Sequence, residues 1–289
     1  MSSNMFQGGL KVSVFVLIVI LGIFVTIKAH KSYSKQQERK AYRQMQLSVA
    51  ERMVAGHYHN AELDVQMPYR LFIPKSAATA TDRAYPIILA LHSGRGRAND
   101  NIKQIDHTIE ILISDLVQGI EPAYVLAPQA DEWTHWVDYD SFSPPFLNFS
   151  QQEIPQSANL KTAIQLLQHV IDTYGIDRER VYITGISMGG EGTWDALTYY
   201  PDLFAAAIPL NGAGDPAALP RVERMPIRFF HGSADTITPV ENSRALNQAL
   251  QSFPNNAIYT ELPNAGHDIR DQVYTKELFE WLFAQKNEA

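Results

Sequence analysis

The stretch Gly185-Ile186-Ser187-Met188-Gly189-Gly190 decides how this chain folds. It has the pattern glycine, any residue, serine, any residue, glycine, in which the serine stands at the tip of a sharp turn between a strand and a helix. The positions two before and two after the serine must be small, because the strand and helix backbones nearly touch there. Gly185 and Gly189 occupy both positions, so the sequence predicts a strained turn that presents Ser187.

The segments on either side of this turn have the composition that it requires. Residues 180–184 (R-V-Y-I-T) are short and β-rich, which predicts a buried strand. Residues 191–200 predict a helix that ends before Pro201. This context favours a nucleophile elbow and the α/β-hydrolase fold, an α/β architecture with a mostly parallel central sheet flanked by helices. The alternative is a glycine-rich turn in which the serine is incidental.

Two further residues follow the elbow in the order that this fold requires, which is serine, acid, histidine. Asp235 follows the second predicted strand after the elbow, and we expect it to be the acid that fixes the imidazole tautomer. His267 lies on the loop after the last predicted strand, 257–262, where its imidazole can take the hydroxyl proton of Ser187. Asp215, on the loop after the preceding strand, is the alternative acid.

The oxyanion hole is predicted from the loop after an early central strand. Residues 85–91 (Y-P-I-I-L-A-L) form a continuous apolar run, as expected for a strand covered on both faces. The loop that follows contains Ser93 and Gly94, and the backbone N–H of one of them is expected to point at the developing alkoxide. The second amide belongs to Met188, the residue after the nucleophile. The alternative for this loop is an ordinary surface turn.

A long irregular connection, residues 128–155, interrupts the alternation of strands and helices. A connection of this length in a compact domain is usually a lid or a binding loop. Its tryptophans, Trp133 and Trp136, are candidates for lining a pocket for the ring or acyl chain of a substrate. The alternative is that the aromatic side chains pack the insertion onto the body of the domain. The other aromatic residues are Tyr139, Phe142, Phe146 and Phe149.

The beginning of the chain predicts a membrane anchor. Residues 12–27 are an uncharged apolar run of sixteen, slightly shorter than the about 20 residues of a spanning helix. We predict an N-terminal transmembrane helix that anchors the protein in a membrane (residues 1–30), a basic helical stalk (31–56) and a catalytic domain (57–289). A cleavable signal peptide is the alternative, but bulky and charged residues stand where small ones would precede a cleavage site.

Two arguments give opposite predictions for the side of the membrane on which the catalytic domain lies. Six lysines and arginines between residues 28 and 43 follow the apolar run, whereas Lys11 precedes it. The positive-inside rule then predicts a cytoplasmic domain. The signal-anchor of an exported enzyme predicts the opposite, extracytoplasmic or periplasmic, side.

Charge and composition exclude several classes of function. Residues 1–52 carry eight Lys/Arg and two Asp/Glu, a net +6, so a chain of net charge −7 leaves −13 on residues 53–289. An acidic body argues against nucleic acid as a partner. The chain has no cysteine, which excludes disulfides, thiolate metal sites and a cysteine nucleophile.

Longer stretches extend the match beyond the elbow motif. Together they resemble the phospholipase/carboxylesterase group of α/β-hydrolases, especially its branch of predicted peptidases and polyhydroxybutyrate-depolymerase-like esterases. The resemblance covers roughly residues 65–285 and omits the anchor and stalk. The stretches that carry it are 174–190 (Y-G-I-D-R-E-R-V-Y-I-T-G-I-S-M-G-G), 192–194 (G-T-W), 200–209 (Y-P-D-L-F-A-A-A-I-P) and 127–129 (A-P-Q) with Trp133.

The resemblance implies that the nucleophile of the group falls on Ser187, its acid on Asp235 and its base on His267. The group usually has His-Gly-x-Gly at the oxyanion loop, whereas here Ser93 replaces the first glycine, so the donor is either Ser93 or Gly94. Members of the group are often secreted or envelope enzymes, which favours the extracytoplasmic side for the catalytic domain.

Three hypotheses for function follow. The leading one is a membrane-anchored serine esterase of the carboxylesterase type that acts on a small-molecule ester through an acyl-enzyme. The second is a serine peptidase that uses the same residues. The third is a non-catalytic binding protein with the hydrolase fold, which loss of a triad member would favour. No metal ion or organic cofactor is implied by any of them.

Overall fold

The computed structural model describes residues 4–78, 83–138 and 146–287, without the side chains of residues 4–23 and 25. The chain divides into two compact units, Met1–Ser48 and Val49–Ala289. Helix α1 covers Asn4–Glu51. Where side chains are described, no helix is both long enough and apolar enough to cross a bilayer. Most of the predicted anchor lies outside those residues.

The predicted end of the stalk is wrong by several residues. Helix α1 ends at Glu51, and Gly56 lies inside strand β1 (Val54–Asn60) rather than after the helix. The physical reason is a pairing that local sequence does not reveal, since β1 runs antiparallel to β2 (Val65–Phe72) with Gly56 opposite Tyr69. The ring of Tyr69 lies so close to Gly56 that a Cβ there would meet it at 2.6 Å.

Within the described residues, eight strands form one sheet in the order β1-β2-β4-β3-β5-β6-β7-β8. The pairs β1–β2 and β2–β4 are antiparallel and all the others are parallel, which confirms the predicted fold class. The remaining strands are β3 (Ile87–Leu91), β4 (Tyr124–Pro128), β5 (Val181–Ile186), β6 (Ala206–Leu210), β7 (Ile227–Gly232) and β8 (Ala257–Leu262).

The centre of the sheet is the hydrophobic core. Every residue of β3, β4, β5 and β6 is buried, as expected for parallel strands covered on both faces by helices. The helices after α1 are α2 (His107–Leu112), α3 (Asp115–Gln118), α4 (Ala158–Tyr174), α5 (Met188–Tyr199), α6 (Glu241–Leu250), α7 (Arg270–Val273) and α8 (Lys276–Phe283).

Capping residues explain where the helix before the elbow begins and ends. The hydroxyl of Ser157 accepts a hydrogen bond from the Leu160 amide at the start of α4. Gly175 ends this helix in the left-handed conformation, with φ 61°, which glycine adopts without steric cost. Helix α4 therefore returns the chain to the start of β5, the strand that leads into the elbow.

Polar contacts join the connection 128–155 to other parts of the unit Val49–Ala289. Asn148 donates to the Asn242 carbonyl oxygen, and the Asn242 side chain donates back to Phe146. The Gln151 side chain donates to Asp195 of α5. Tyr139 and Phe142, two of the aromatic residues noted in the sequence, lie outside the described residues.

Candidate active site

The elbow has the strained geometry that its sequence predicts. Ser187 stands between β5 and α5 with φ 59° and ψ −125°, a conformation that non-glycine residues rarely adopt. A Cβ on Gly185 would lie 2.8 Å from the Leu91 carbonyl oxygen, and one on Gly189 would lie 2.7 Å from the Leu91 carbonyl carbon. Neither position therefore has room for a side chain.

His267 and Asp235 form a hydrogen-bonded pair on neighbouring loops. The distance from His267 Nδ1 to Asp235 Oδ2 is 2.7 Å, while Asp235 Oδ1 accepts hydrogen bonds from the amides of Ile237 and Thr238. Burial alone would raise the pKa of Asp235, but hydrogen bonds from His231 and His267 outweigh it and hold that pKa well below its usual range. Because the ionised carboxylate only accepts hydrogen bonds, His267 Nδ1 carries the proton and Nε2 is left as a base.

His231 braces the acid from the other side. Its Nε2 lies 2.9 Å from the Thr238 carbonyl oxygen and 3.4 Å from Asp235 Oδ2. A carbonyl oxygen only accepts hydrogen bonds, so Nε2 carries a proton, and Nδ1 forms a second hydrogen bond with the Ser243 hydroxyl, 2.7 Å away. The side chains of His231 and Asp235 are completely buried, which fixes the orientation of the carboxylate.

The elbow and the His267–Asp235 pair lie at the same end of the sheet. Ser187 follows β5, Asp235 follows β7 and His267 follows β8, and the carboxyl ends of parallel strands share an edge. The exposed fraction is 9% for Ser187 and 22% for the His267 side chain, so the serine is nearly buried and the histidine is partly exposed. Among the described residues, no hydrogen bond joins the Ser187 hydroxyl to His267.

The loop after β3 is held by a buried histidine. His92 Nε2 accepts from the Ala130 amide at 3.0 Å, so Nδ1 carries the proton and donates to the Ser93 carbonyl oxygen at 2.7 Å. Burial lowers the pKa of His92 to about 4, so the ring is neutral at pH 7. The amides of Ser93, Gly94 and Met188 donate to no other described residue, and N–H groups in this state are available to an oxyanion.

The two tryptophans of the insertion occupy different environments. Trp136 is completely buried, and its indole N–H donates to the His92 carbonyl oxygen at 3.0 Å. A buried indole offers no surface to a substrate, so the pocket prediction for Trp136 is wrong and the packing alternative describes it. Trp133 is 80% exposed, and its role in a pocket stays a prediction.

Asp215, the alternative to Asp235 as the acid, is bonded to backbone amides instead of to His267. The two carboxylate oxygens of Asp215 accept hydrogen bonds from the amides of Gln151 and Ala217, at 2.8 Å each. Asp215 therefore seats the insertion, and no described hydrogen bond connects it to His267.

Two ionisable residues near the site, Arg270 and Glu191, were not predicted from the sequence. Arg270 bonds both oxygens of Asp268 and also Asp106 Oδ2, which ties the His267 loop to the start of α2. Glu191, in the first turn of α5, is completely buried, and burial raises its pKa to about 8. The sequence signal that could have identified Glu191 is its place directly after the elbow motif.

Comparison with known proteins settles the family. The model of the family described as Phospholipase/Carboxylesterase matches residues 93–276, which include Ser187, Asp235 and His267. The chain belongs to the phospholipase/carboxylesterase family. This confirms the resemblance inferred from the sequence and places the chain in the esterase class of hydrolases.

Individual relatives of this carboxylesterase family agree. A probable carboxylesterase of Oryza sativa subsp. japonica is 25% identical over 71% of this chain and 79% of its own length. A probable SOBER1-like carboxylesterase of Arabidopsis thaliana is 26% identical over 70% and 82%. The crystal structure of a thermostable esterase is similar at 33% identity and a TM-score of 0.72, covering 82% of this chain. The chain spans 64% of that esterase's length.

Proposed function

We propose that this protein is a serine carboxylic ester hydrolase in which Ser187, His267 and Asp235 form a catalytic triad. The observation that carries the proposal is the 2.7 Å hydrogen bond between His267 and Asp235 at the sheet edge that also bears Ser187. A histidine whose Nδ1 is bonded to a carboxylate leaves Nε2 free to take a proton from a serine hydroxyl. The family membership supports an ester as the substrate class.

The reaction follows from the positions of these groups. Ser187 Oγ attacks the ester carbonyl carbon while its proton passes to His267 Nε2. The resulting oxyanion accepts hydrogen bonds from the Met188 amide and from that of Ser93 or Gly94. When the carbon–oxygen bond to the leaving group breaks, the alkoxide takes the proton from His267. Water then attacks the acyl-enzyme with His267 as base and releases the acid.

The test is hydrolysis of nitrophenyl esters of short to long acyl chains by the wild-type protein and by Ser187→Ala. We expect turnover by the wild type and its loss in the variant, and the dependence on chain length measures the acyl pocket. Nitroanilide substrates, included in the same panel, distinguish a peptidase. A folded wild type that hydrolyses no substrate and is not labelled by a fluorophosphonate would contradict the proposal.

The location of the enzyme is a second part of the proposal. The apolar run at residues 12–27 supports insertion of the N-terminal segment into a membrane. The extracytoplasmic side is proposed for the catalytic domain because members of the group that this chain resembles are often secreted or envelope enzymes, although the positive-inside rule favours the other side. The full-length protein should then stay in the membrane fraction at alkaline pH and be cut by protease added to spheroplasts, in which the outer envelope is open and the cytoplasmic membrane is intact. Release by alkaline carbonate would contradict the anchor, and protection from protease would contradict the orientation.

A further inference from the structure

We propose that Asn211 is a positioning residue that fixes the Asp235–His267 pair against the elbow bearing Ser187. This inference rests on the proposed function and names a residue that acts through the triad. Asn211 lies directly after β6, and β6 lies between the elbow strand β5 and the strand β7 that leads to Asp235. It is completely buried.

The backbone of Asn211 is held in an unusual conformation. Its φ is 46°, in the left-handed region, which asparagine tolerates better than most residues. Its amide donates to the Phe230 carbonyl oxygen of β7 at 3.0 Å. This conformation turns the side chain away from the run of β6 and towards the two loops that follow β7 and β8.

The side-chain amide of Asn211 joins Gly232, the last residue of β7, to the loop after β8. Its Oδ1 accepts from the Gly232 amide at 3.1 Å, and its Nδ2 donates to the carbonyl oxygen of His267 at 2.5 Å. The first partner can only donate and the second can only accept, so the orientation of the amide is fixed. Aspartate has the same shape but offers an acceptor in both places, and it would face the His267 carbonyl oxygen with negative charge.

Other contacts hold the two loops to each other. The Ser233 amide donates to the Leu262 carbonyl oxygen at 3.0 Å, and the Ala234 amide donates to the Ala265 carbonyl oxygen at 2.8 Å. These bonds keep Asp235 and His267 together as one body. They do not connect that body to the elbow.

The residues on either side of Asn211 do touch the elbow. The Ser187 amide donates to the Leu210 carbonyl oxygen at 2.9 Å. Gly212 packs so closely on Gly190 that a Cβ on Gly190 would lie 3.1 Å from the Gly212 Cα. Asn211 is thus bonded to the acid–base pair through its side chain, while its neighbours are fixed to the nucleophile. Its side chain sets the distance between His267 and Ser187.

The test uses two substitutions that keep the left-handed backbone. Asn211→Asp retains the acceptor for Gly232 but removes the donor to His267, and Asn211→Gly removes both contacts without adding backbone strain. Rates are divided by the concentration of sites that a fluorophosphonate labels to completion, which removes the contribution of unfolded protein. A shift in the position of a catalytic group typically costs about 100-fold in rate, so we expect kcat to fall by about 10- to 100-fold. KM should stay within about twofold, because substrate binding is not altered.

The matched control is Asn60→Ala. Asn60 is also a buried asparagine with side-chain bonds to Thr162 and to the Glu62 amide, but it ends the edge strand β1. It should lower the melting temperature and leave the normalised kcat unchanged. If the Asn211 variants also lower only stability, with normalised kcat at the wild-type value, Asn211 is structural and the inference is wrong.

The outcomes separate this inference from the proposed function. A wild type that is labelled at Ser187 but hydrolyses no ester in the panel contradicts the choice of substrate. In that case the labelling rate replaces kcat, and it should fall in both Asn211 variants. A wild type that is neither labelled nor active contradicts the triad and the role of Asn211 together. If Asn211→Asp does not fold, the result with Asn211→Gly decides.

Discussion

Asp235 accepts a 2.7 Å hydrogen bond from His267 with one carboxylate oxygen while two backbone amides occupy the other. This arrangement fixes the carboxylate in place before any substrate binds. It also determines which nitrogen of His267 carries the proton. The predictions below test this arrangement and its surroundings.

The acid is tested by Asp235→Asn. An asparagine amide would donate to His267 Nδ1 and stabilise the wrong tautomer, so kcat should fall by about 10³- to 10⁴-fold. Asp215→Asn is the matched control, because Asp215 seats the insertion and should leave kcat close to the wild-type value. The measurement is the steady-state rate of ester hydrolysis at saturating substrate. A large loss in Asp215→Asn with little loss in Asp235→Asn would exchange the two assignments.

The tightness of the elbow is tested by Gly189→Ala. Its Cβ would overlap the Leu91 carbonyl group, so the substitution should destabilise the fold by about 4 kcal/mol or more. Gly266→Ala is the control, since a Cβ there meets no atom within 4 Å. Urea denaturation measures both. Equal stability of the two variants would show that the strand and helix separate easily at the elbow.

The difference between the two tryptophans is tested by truncation. Trp136→Ala removes a completely buried indole and its bond to His92, and should cost about 3–5 kcal/mol of stability. Trp133→Ala removes an exposed side chain and should change stability by less than about 0.5 kcal/mol. Urea midpoints give both values. A reduced rate in Trp133→Ala with unchanged stability would support its place in the substrate pocket.

The buried Glu191 predicts a pH dependence of stability. Its pKa is raised from 4.5 to about 8 because burial disfavours the charged form, and both its carboxylate oxygens lack a hydrogen bond within the structure. The folded state therefore binds a proton that the unfolded state releases above about pH 4.5. The stabilisation is complete below that pH and is lost at about 1.4 kcal/mol per pH unit as the pH rises towards 8.

Replacement by Glu191→Gln should remove this part of the pH dependence. The variant and the wild type are compared by urea denaturation between pH 5 and pH 8. The exposed Glu153→Gln serves as control and should keep the wild-type slope. An unchanged slope in Glu191→Gln would mean that Glu191 titrates alike in the folded and unfolded states, which would contradict its raised pKa.

Individual strands and helices could be predicted where a short stretch of sequence determines them. The strand predicted at 257–262 is found there. Apolar residues at helical spacing from Leu160 to Tyr174, followed by Gly175, predict a helix that ends at this glycine, and α4 ends there. The sequence of residues 105–116 predicts a single helix, but the structure has two short helices, α2 and α3, which are separated at Ile113 and Ser114. Here the Ser114 hydroxyl bonds the Ile111 carbonyl oxygen and competes with the helix.

Features that depend on distant pairing could not be predicted in this way. Residues 69–73 (Y-R-L-F-I) alternate and stand before Pro74, which predicts an edge strand. In the structure β2 lies second in the sheet because β1 pairs with it, and only the pairing reveals this. Trp136 faces His92 across 44 positions, and Arg270 meets Asp106 across 164. The elbow motif indicated Ser187 and the order of the chain indicated His267 and Asp235, but their catalytic roles stay predictions.

The most direct measurement is the identification of the covalent intermediate. Nitrophenyl acetate is mixed with the wild-type protein, the reaction is quenched in acid within the first turnover, and the peptides are analysed by mass spectrometry. We expect an acetyl group on Ser187, absent in Ser187→Ala and formed far more slowly in His267→Ala. Hydrolysis without an acetyl group on Ser187, or with one on another residue, would contradict the central claim that Ser187 is the nucleophile.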